Sequence, residues 1–213
     1  MHNVIKSLTK VANRYAPSRM LSFDEAHVFK TLQLMNKHGR ISRILLTEEL
    51  NLGEGSIKTL VKHLKMQDLV ETSKAGMWMT DKGFRLYSKL AEAIPKDIDI
   101  PQCSIALGKF NHVVLIKGLE SEIGSGIEQR DSAIKMGATG ATTLLYREGR
   151  LFMPGKNQDS LRSDPDVRKL ILNVLEPENN DVIIIGSAEK KKVAELATKY
   201  AALQTVSNHH KHV

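Results

Sequence analysis

Apolar residues along this chain recur with two different periods, and the switches between them mark out its elements. From Glu54 to about Met66, the residues Ile57, Leu60, Val61 and Leu64 follow the i, i+3, i+4, i+7 spacing of a helix with one buried stripe. The stretch before it, about Ser42 to Asn51, predicts a shorter helix capped by Ser42. Leu52-Gly53 then reads as a tight turn in which the glycine relieves the backbone. Further upstream, Ala26, Phe29, Leu32, Leu34 and Met35 predict a helix that ends at Gly39. Ser22-Phe23-Asp24-Glu25 opens it with the Ser-x-x-Glu pattern of a capping box. Asn3 to about Tyr15 predicts a leading amphipathic helix with Val4, Ile5, Leu8, Val11 and Ala12 on one side, stopped by Pro17. That helix packs either on its own domain or on a partner subunit. After Met66 the period shortens. Leu69 to Thr72 and Met77 to Thr80 read as strands around a turn at Ser73-Lys74-Ala75-Gly76, and Thr80 caps the next helix. In that helix Leu86, Leu90 and Ile94 repeat as a stripe. It is a second candidate for subunit contact, unless Phe84, Tyr87 and Leu90 close the core.

Pro95 to Pro101 is bounded by prolines and has no helical period, which places a domain boundary there. The division is then residues 1–95, a linker at 96–103, a second domain at 104–207 and a frayed tail at 208–213. The second domain alternates. Ser104 to Lys117 reads as a strand centred on Val113 to Ile116, Gly118 to Gly126 as a loop, and Ile127 to Met136 as a helix. A strand at Ala141 to Arg147, a tight turn at Glu148-Gly149 and a strand at Arg150 to Met153 follow. A helix from about Pro165 to Leu175, a strand at Asp181 to Ile185 and a last helix from Ala188 to Leu203 complete it. The order β-α-β-β-α-β predicts a ferredoxin-like α+β sandwich, with helices on one face of an antiparallel sheet.

Composition adds three constraints. The 41% hydrophobic and 26% charged content is that of a globular chain, and no stretch reaches the roughly 18 apolar residues of a membrane span. The first residues lack the apolar core and small-residue site of a signal peptide, and Cys103 is the one cysteine, so a reducing, cytoplasmic setting is expected. The net charge of +7 is unevenly held: residues 1–95 carry 15 Lys and Arg against 9 Asp and Glu, whereas residues 96–213 carry 16 against 15. Attraction for a polyanion therefore belongs to the first half.

That basic excess meets the helix Glu54 to Met66. Opposite its apolar stripe lie Gly55, Thr59 and Lys62, flanked by Ser56, Lys58 and His63, a mixture of cations and hydroxyls suited to phosphates and base edges. The turn Asn51-Leu52-Gly53-Glu54-Gly55-Ser56, the exit Met66-Gln67-Asp68-Leu69-Val70 and the step Met79-Thr80-Asp81-Lys82-Gly83 together resemble the winged helix-turn-helix superfamily over about the first 95 residues. The resemblance implies a homodimeric transcriptional regulator that binds double-stranded DNA. Ser56, Lys58, Thr59, Lys62 and His63 would then lie nearest the DNA, with Arg40 and Arg43 on phosphates and Lys74 at the wing tip. Winged helices also serve as protein docking modules, and that is the alternative from another class.

In the second half, polar residues and glycines crowd around one helix between Gly124 and Thr143. A pocket there, with Gly126 at the helix start and Arg130, Asp131, Lys135, Thr139 and Thr142 around it, is the candidate site for a small anionic effector, the other expected role of this domain being dimerisation. The run from Arg130 to Leu144 is similar to the uncharacterised C-terminal domain of a group of archaeal winged-helix proteins, a likeness that brings no ligand with it. No metal site, cofactor or enzymatic activity is expected. His209, His210 and His212 have no Cys or carboxylate cluster beside them, and His27, His38 and His112 read as isolated. Cys103 has no histidine at a meaningful spacing.

Overall fold

The stripe on the helix from Glu54 is the centre of the first half. A computed structural model describes residues 2–13 and 21–209 of the chain, which divides into two compact units, Met1–Leu90 and Ala91–Val213. The first unit runs α1 (His2–Ala12), α2 (Glu25–His38), α3 (Arg43–Leu50), α4 (Glu54–Met66), β1 (Val70–Ser73), β2 (Gly76–Met79) and α5 (Asp81–Ala93), whose last turn continues into the second unit. Ile57, Leu60, Val61 and Leu64 of α4 are all buried, each worth about 1.5–3 kcal/mol of apolar burial. The leading helix α1 buries Val4, Ile5, Leu8 and Val11 and packs on α2 and α4, so its apolar side is used within its own unit. The expected stop at Pro17 lies outside the described residues.

Three local details differ from expectation. The cap of α2 is Asp24, not Ser22. The Asp24 carboxylate accepts from the amides of Ala26 (2.8 Å) and His27 (3.3 Å), and the amide of Asp24 donates to the His27 ring. A carboxylate at a helix start offers a stronger acceptor than a hydroxyl and also suits the positive end of the dipole. In the turn between α3 and α4 the left-handed residue is Asn51 (φ 54°), whereas Gly53 has an ordinary φ of −67°. The carboxamide of Asn tolerates that region, so the glycine is not the relief. Phe84 of α5 lies exposed instead of closing the core, while Leu86, Leu90 and Ile94, the candidate stripe for subunit contact, are buried within the chain. Ser42 does cap α3, accepting from the amide of Leu45 at 3.1 Å.

The hairpin is fastened at both ends. Ile41 and Met77 exchange backbone hydrogen bonds of 2.9 Å, which ties β2 to the segment before α3. A Cβ on Gly83 would stand 2.1 Å from the carbonyl oxygen of Leu69, so no other residue allows α5 to pass so close to the start of β1. The Thr80 hydroxyl accepts from the amide of Gly83 and donates to the carbonyl of Asp68. This joins the strand-to-helix step to the turn after α4.

The second unit holds β3 (Asp97–Ile100), β4 (Phe110–Ile116), α6 (Ile127–Lys135), β5 (Gly140–Arg147), β6 (Arg150–Phe152), α7 (Pro165–Leu175), β7 (Val182–Ala188) and α8 (Lys191–His209). The expected linker at 96–103 contains a strand: β3 pairs antiparallel with β4 from Asp97↔Val114 to Ile100↔Asn111. The prolines at 95 and 101 bound an edge strand, and its Asp-Ile-Asp-Ile alternation is the period of a sheet with two different faces. The five strands stand in the order β3-β4-β7-β5-β6, every neighbouring pair antiparallel. This is α+β, but not ferredoxin-like. The ferredoxin-like sheet has the first and third strands of β-α-β-β-α-β in the middle, whereas here the second and fourth, β5 and β7, are flanked on both sides within that set.

Helices cover both faces rather than one. Val167, Ile171 and Leu175 of α7 share a core with Val113, Leu115, Ile183 and Ile185, while α8 packs on β4 and β7 from the other side together with α6. The unbroken apolar runs in β4 and β7, each buried almost throughout, demand cover on both faces. Asn208 and His209, expected in a frayed tail, extend α8.

Candidate nucleic-acid interface

On α4, Lys58, Lys62 and Lys65 are exposed, and at 100° per residue they gather on the flank that faces the hairpin. Arg43 at the start of α3 and Lys74 in the hairpin turn are exposed as well. These five cations line one cleft of about 880 Å³ between the first turn of α3, α4 and the hairpin, and no carboxylate lines it. Lys65 was not among the residues expected from the sequence. It stands at a right angle to the stripe, where only the position of the hairpin decides what a side chain faces.

His63 is the opposite case. It was expected near a partner and is buried: its ring Nδ1 lies 2.7 Å from the carbonyl oxygen of Val11, and its ring meets Phe23 edge-on at 5.6 Å between centroids. The leading helix α1 covers that flank of α4. Ser56 and Thr59 are half-buried, and the Thr59 hydroxyl donates to the carbonyl of Gly55 at 3.0 Å. Arg40 is exposed but held, its guanidinium 4.5 Å above the Trp78 ring. Glu54 is exposed at the start of α4, 4.0 Å from Lys58.

The candidate effector residues of the second unit do not converge. The Thr139 hydroxyl donates to the carbonyl of Ser187 and that of Thr142 to the carbonyl of Ile105, so both serve the sheet. Gly126 (φ 81°) makes the turn into α6, where a Cβ would come 3.2 Å from that of Thr143. Arg130 pairs with its neighbour Asp131 at 3.2 Å on the surface. Asp131 and Lys135 line a polar hollow, but with Glu122 and Glu128 beside them it holds three carboxylates to one cation. An anion would be repelled there.

His112, expected to be isolated, sits in a buried charge network. Its Nδ1 lies 2.7 Å from Asp99 and its Nε2 3.2 Å from Asp97, while the buried Lys199 ammonium contacts Asp97 (3.4 Å) and Glu195 (2.8 Å), and Lys191 reaches Asp99 (2.8 Å). A neutral imidazole has one N–H, so two carboxylates facing both nitrogens call for the imidazolium. Burial alone would lower the His112 pKa, yet the facing carboxylates of Asp97 and Asp99 outweigh it and raise it. In return the hydrogen bond from His112 holds Asp99 down at about 2. Asp97, His112 and Glu195 also have ligand atoms within 4.8 Å of one another, the grouping of a metal site, but the Lys199 ammonium is already the cation between the two carboxylates. Sequence separation hid this network, because its members come from 97–99, 112 and 191–199.

Comparison with known proteins follows the same division. Residues 26–94 match a family model described as the CggR N-terminal DNA binding domain. Residues 107–206 match one described as a domain of unknown function, DUF4443. The chain joins the two. Among solved structures it is similar to a hypothetical protein from Pyrococcus horikoshii OT3, at 26% identity and a TM-score of 0.73, over 88% of this chain and 95% of that one. No curated protein matches it. The first match starts within α2, so α1, which buries His63, precedes it.

Proposed function

We propose that this chain is a DNA-binding transcriptional regulator of the winged helix-turn-helix kind, working in the cytoplasm as a homodimer. The observation that carries this reading is the cleft itself: five cations and no carboxylate line it, within the segment matched to a domain described as DNA binding. In this reading α4 enters the major groove of duplex DNA. Lys58, Lys62, Lys65 and Arg43 take phosphates, Lys74 reaches the backbone or the minor groove beside the hairpin, and Ser56 and Thr59 face base edges. Arg40 takes a phosphate from its place on Trp78. Glu54 accepts from a cytosine amine or turns away toward Lys58.

The second unit has no catalytic role in this reading. His112 and the buried Lys199 are both spent in one charge network. Ile127 and Ile134, seven residues apart on α6, are both exposed, which supports a role in assembly. Titration of the protein into its own upstream DNA and into a scrambled duplex, at two salt concentrations, tests the function. A preference of about a thousandfold that survives the higher salt is expected. Equal, salt-erased binding to both, with a stable protein partner in place of DNA, would move the assignment to a docking module. Light scattering at the same concentrations reads the dimer.

A further inference from the structure

Neutralising phosphate does not require everything the cleft contains. Ile44 is 72% exposed and Met66 is 52% exposed, and both line the cleft between α4 and the hairpin. Val61 and Met77, both buried, lie in the same wall. Cations line the same cleft from both walls: Arg43, Lys58, Lys62 and Lys65 on the helices and Lys74 on the hairpin. A polyanionic strand laid along the cleft would meet both charge and hydrocarbon. In a nucleic-acid strand the group that alternates with phosphate is the sugar. Deoxyribose presents a methylene at C2′, and ribose presents a hydroxyl that both donates and accepts.

We propose that the cleft is a deoxyribose-selective seat for one strand of the duplex, with C2′ methylenes packed on Ile44 and Met66. A 2′-hydroxyl placed there loses its water and meets carbon, which leaves a polar group unpaired. Of the cleft's hydroxyls, those of Ser42 and Ser73 accept from the amides of Leu45 and Ala75, and that of Thr72 lies exposed on the hairpin, whereas the carbon of Ile44 and Met66 offers a 2′-hydroxyl neither donor nor acceptor. This inference rests on the DNA reading above and deepens it. It names the feature by which the protein tells a DNA strand from an RNA strand of the same charge.

The test compares a synthetic DNA duplex with the same duplex carrying a ribonucleotide at about every third position, too sparse to convert the helix to A-form. The wild-type chain should bind the substituted duplex about tenfold more weakly. Ile44→Ser with Met66→Gln, two exposed positions, should bind both duplexes alike and keep the wild-type salt dependence. Equal wild-type affinity for the two duplexes overturns the proposal, as does a double variant that keeps the wild-type ratio. Failure of the wild-type chain to bind plain DNA is a separate outcome that removes the DNA reading, and this inference with it.

Discussion

The two units treat charge in opposite ways. In the first, Arg43, Lys62, Lys65 and Lys74 make no ion pair among the described residues, although they share one cleft. In the second, Lys96, Lys117, Arg147, Arg168, Lys191 and Lys199 are all paired with carboxylates of the same unit. Uncompensated cations crowded together repel one another and stabilise nothing by themselves. A charge network that closes on itself leaves little field for a partner. The lesson is that the first unit gathers unpaired cations into one cleft, whereas the second unit spends its buried cation and several surface ones on holding its own strands and helix together.

Breaking the closed network should have the largest effect. Lys199→Met leaves Asp97 and Glu195 with no buried ammonium between them and should destabilise the second unit by about 3 kcal/mol in urea unfolding. The cleft cations lie in the other unit, so DNA titration of the folded variant should be unchanged. A smaller effect comes from pH, with its sign set by each group. His112 has a folded pKa raised above its ordinary value of 6.5, so its contribution is complete below about that pH and is lost as pH rises through the folded value. Asp99 is lowered from 3.8 to about 2, so its contribution is complete above about pH 4 and is lost as pH falls toward 2. Unfolding midpoints across pH should therefore decline at both ends. His112→Gln should remove the alkaline decline, and an unaltered alkaline decline in that variant would show that the imidazolium is not its source.

The legible parts of the fold are those set by neighbours in sequence. The α4 stripe, the Ser42 cap and the Thr80 step each depend on residues within one or two turns, and all were readable. The strand order was not, because β7 inserts between β4 and β5 through contacts more than thirty residues apart. β3 was readable in principle: its two-residue alternation was present, but the flanking prolines outweighed it. In the candidate site, Lys62 opposite the stripe and Lys58 beside it were legible, whereas the positions of His63 and Lys65 were not. His63 and Lys65 stand on opposite flanks of one helix, and α1 on one side and the hairpin on the other decide which is buried. No helical wheel contains that information.

Single changes in the open cleft should have modest and separable effects. Lys62→Ala should weaken binding to every duplex alike and reduce the slope of log affinity against log salt by about 0.9, the share of one phosphate contact. Its thermal stability should match that of the parent, since Lys62 makes no ion pair among the described residues. A Lys62→Ala variant with an unchanged slope would place the strand elsewhere on the unit.

The finest distinction concerns Thr59. Its hydroxyl donates to Gly55 within α4, so its oxygen still has a lone pair to accept from a base amine, while its methyl can meet a thymine methyl. It is half-buried and uncharged, so long-range attraction owes it nothing. Thr59→Ala should therefore leave affinity for scrambled DNA and the salt slope intact, and should narrow the gap between preferred and scrambled duplexes by about 1 kcal/mol. A selection from random duplexes by both proteins would show the change as relaxed preference at one or two positions. If Thr59→Ala instead lost affinity equally on all sequences, its role would be to set the pitch of the first turn of α4. The reading of sequence would then fall to Ser56 and the lysines alone.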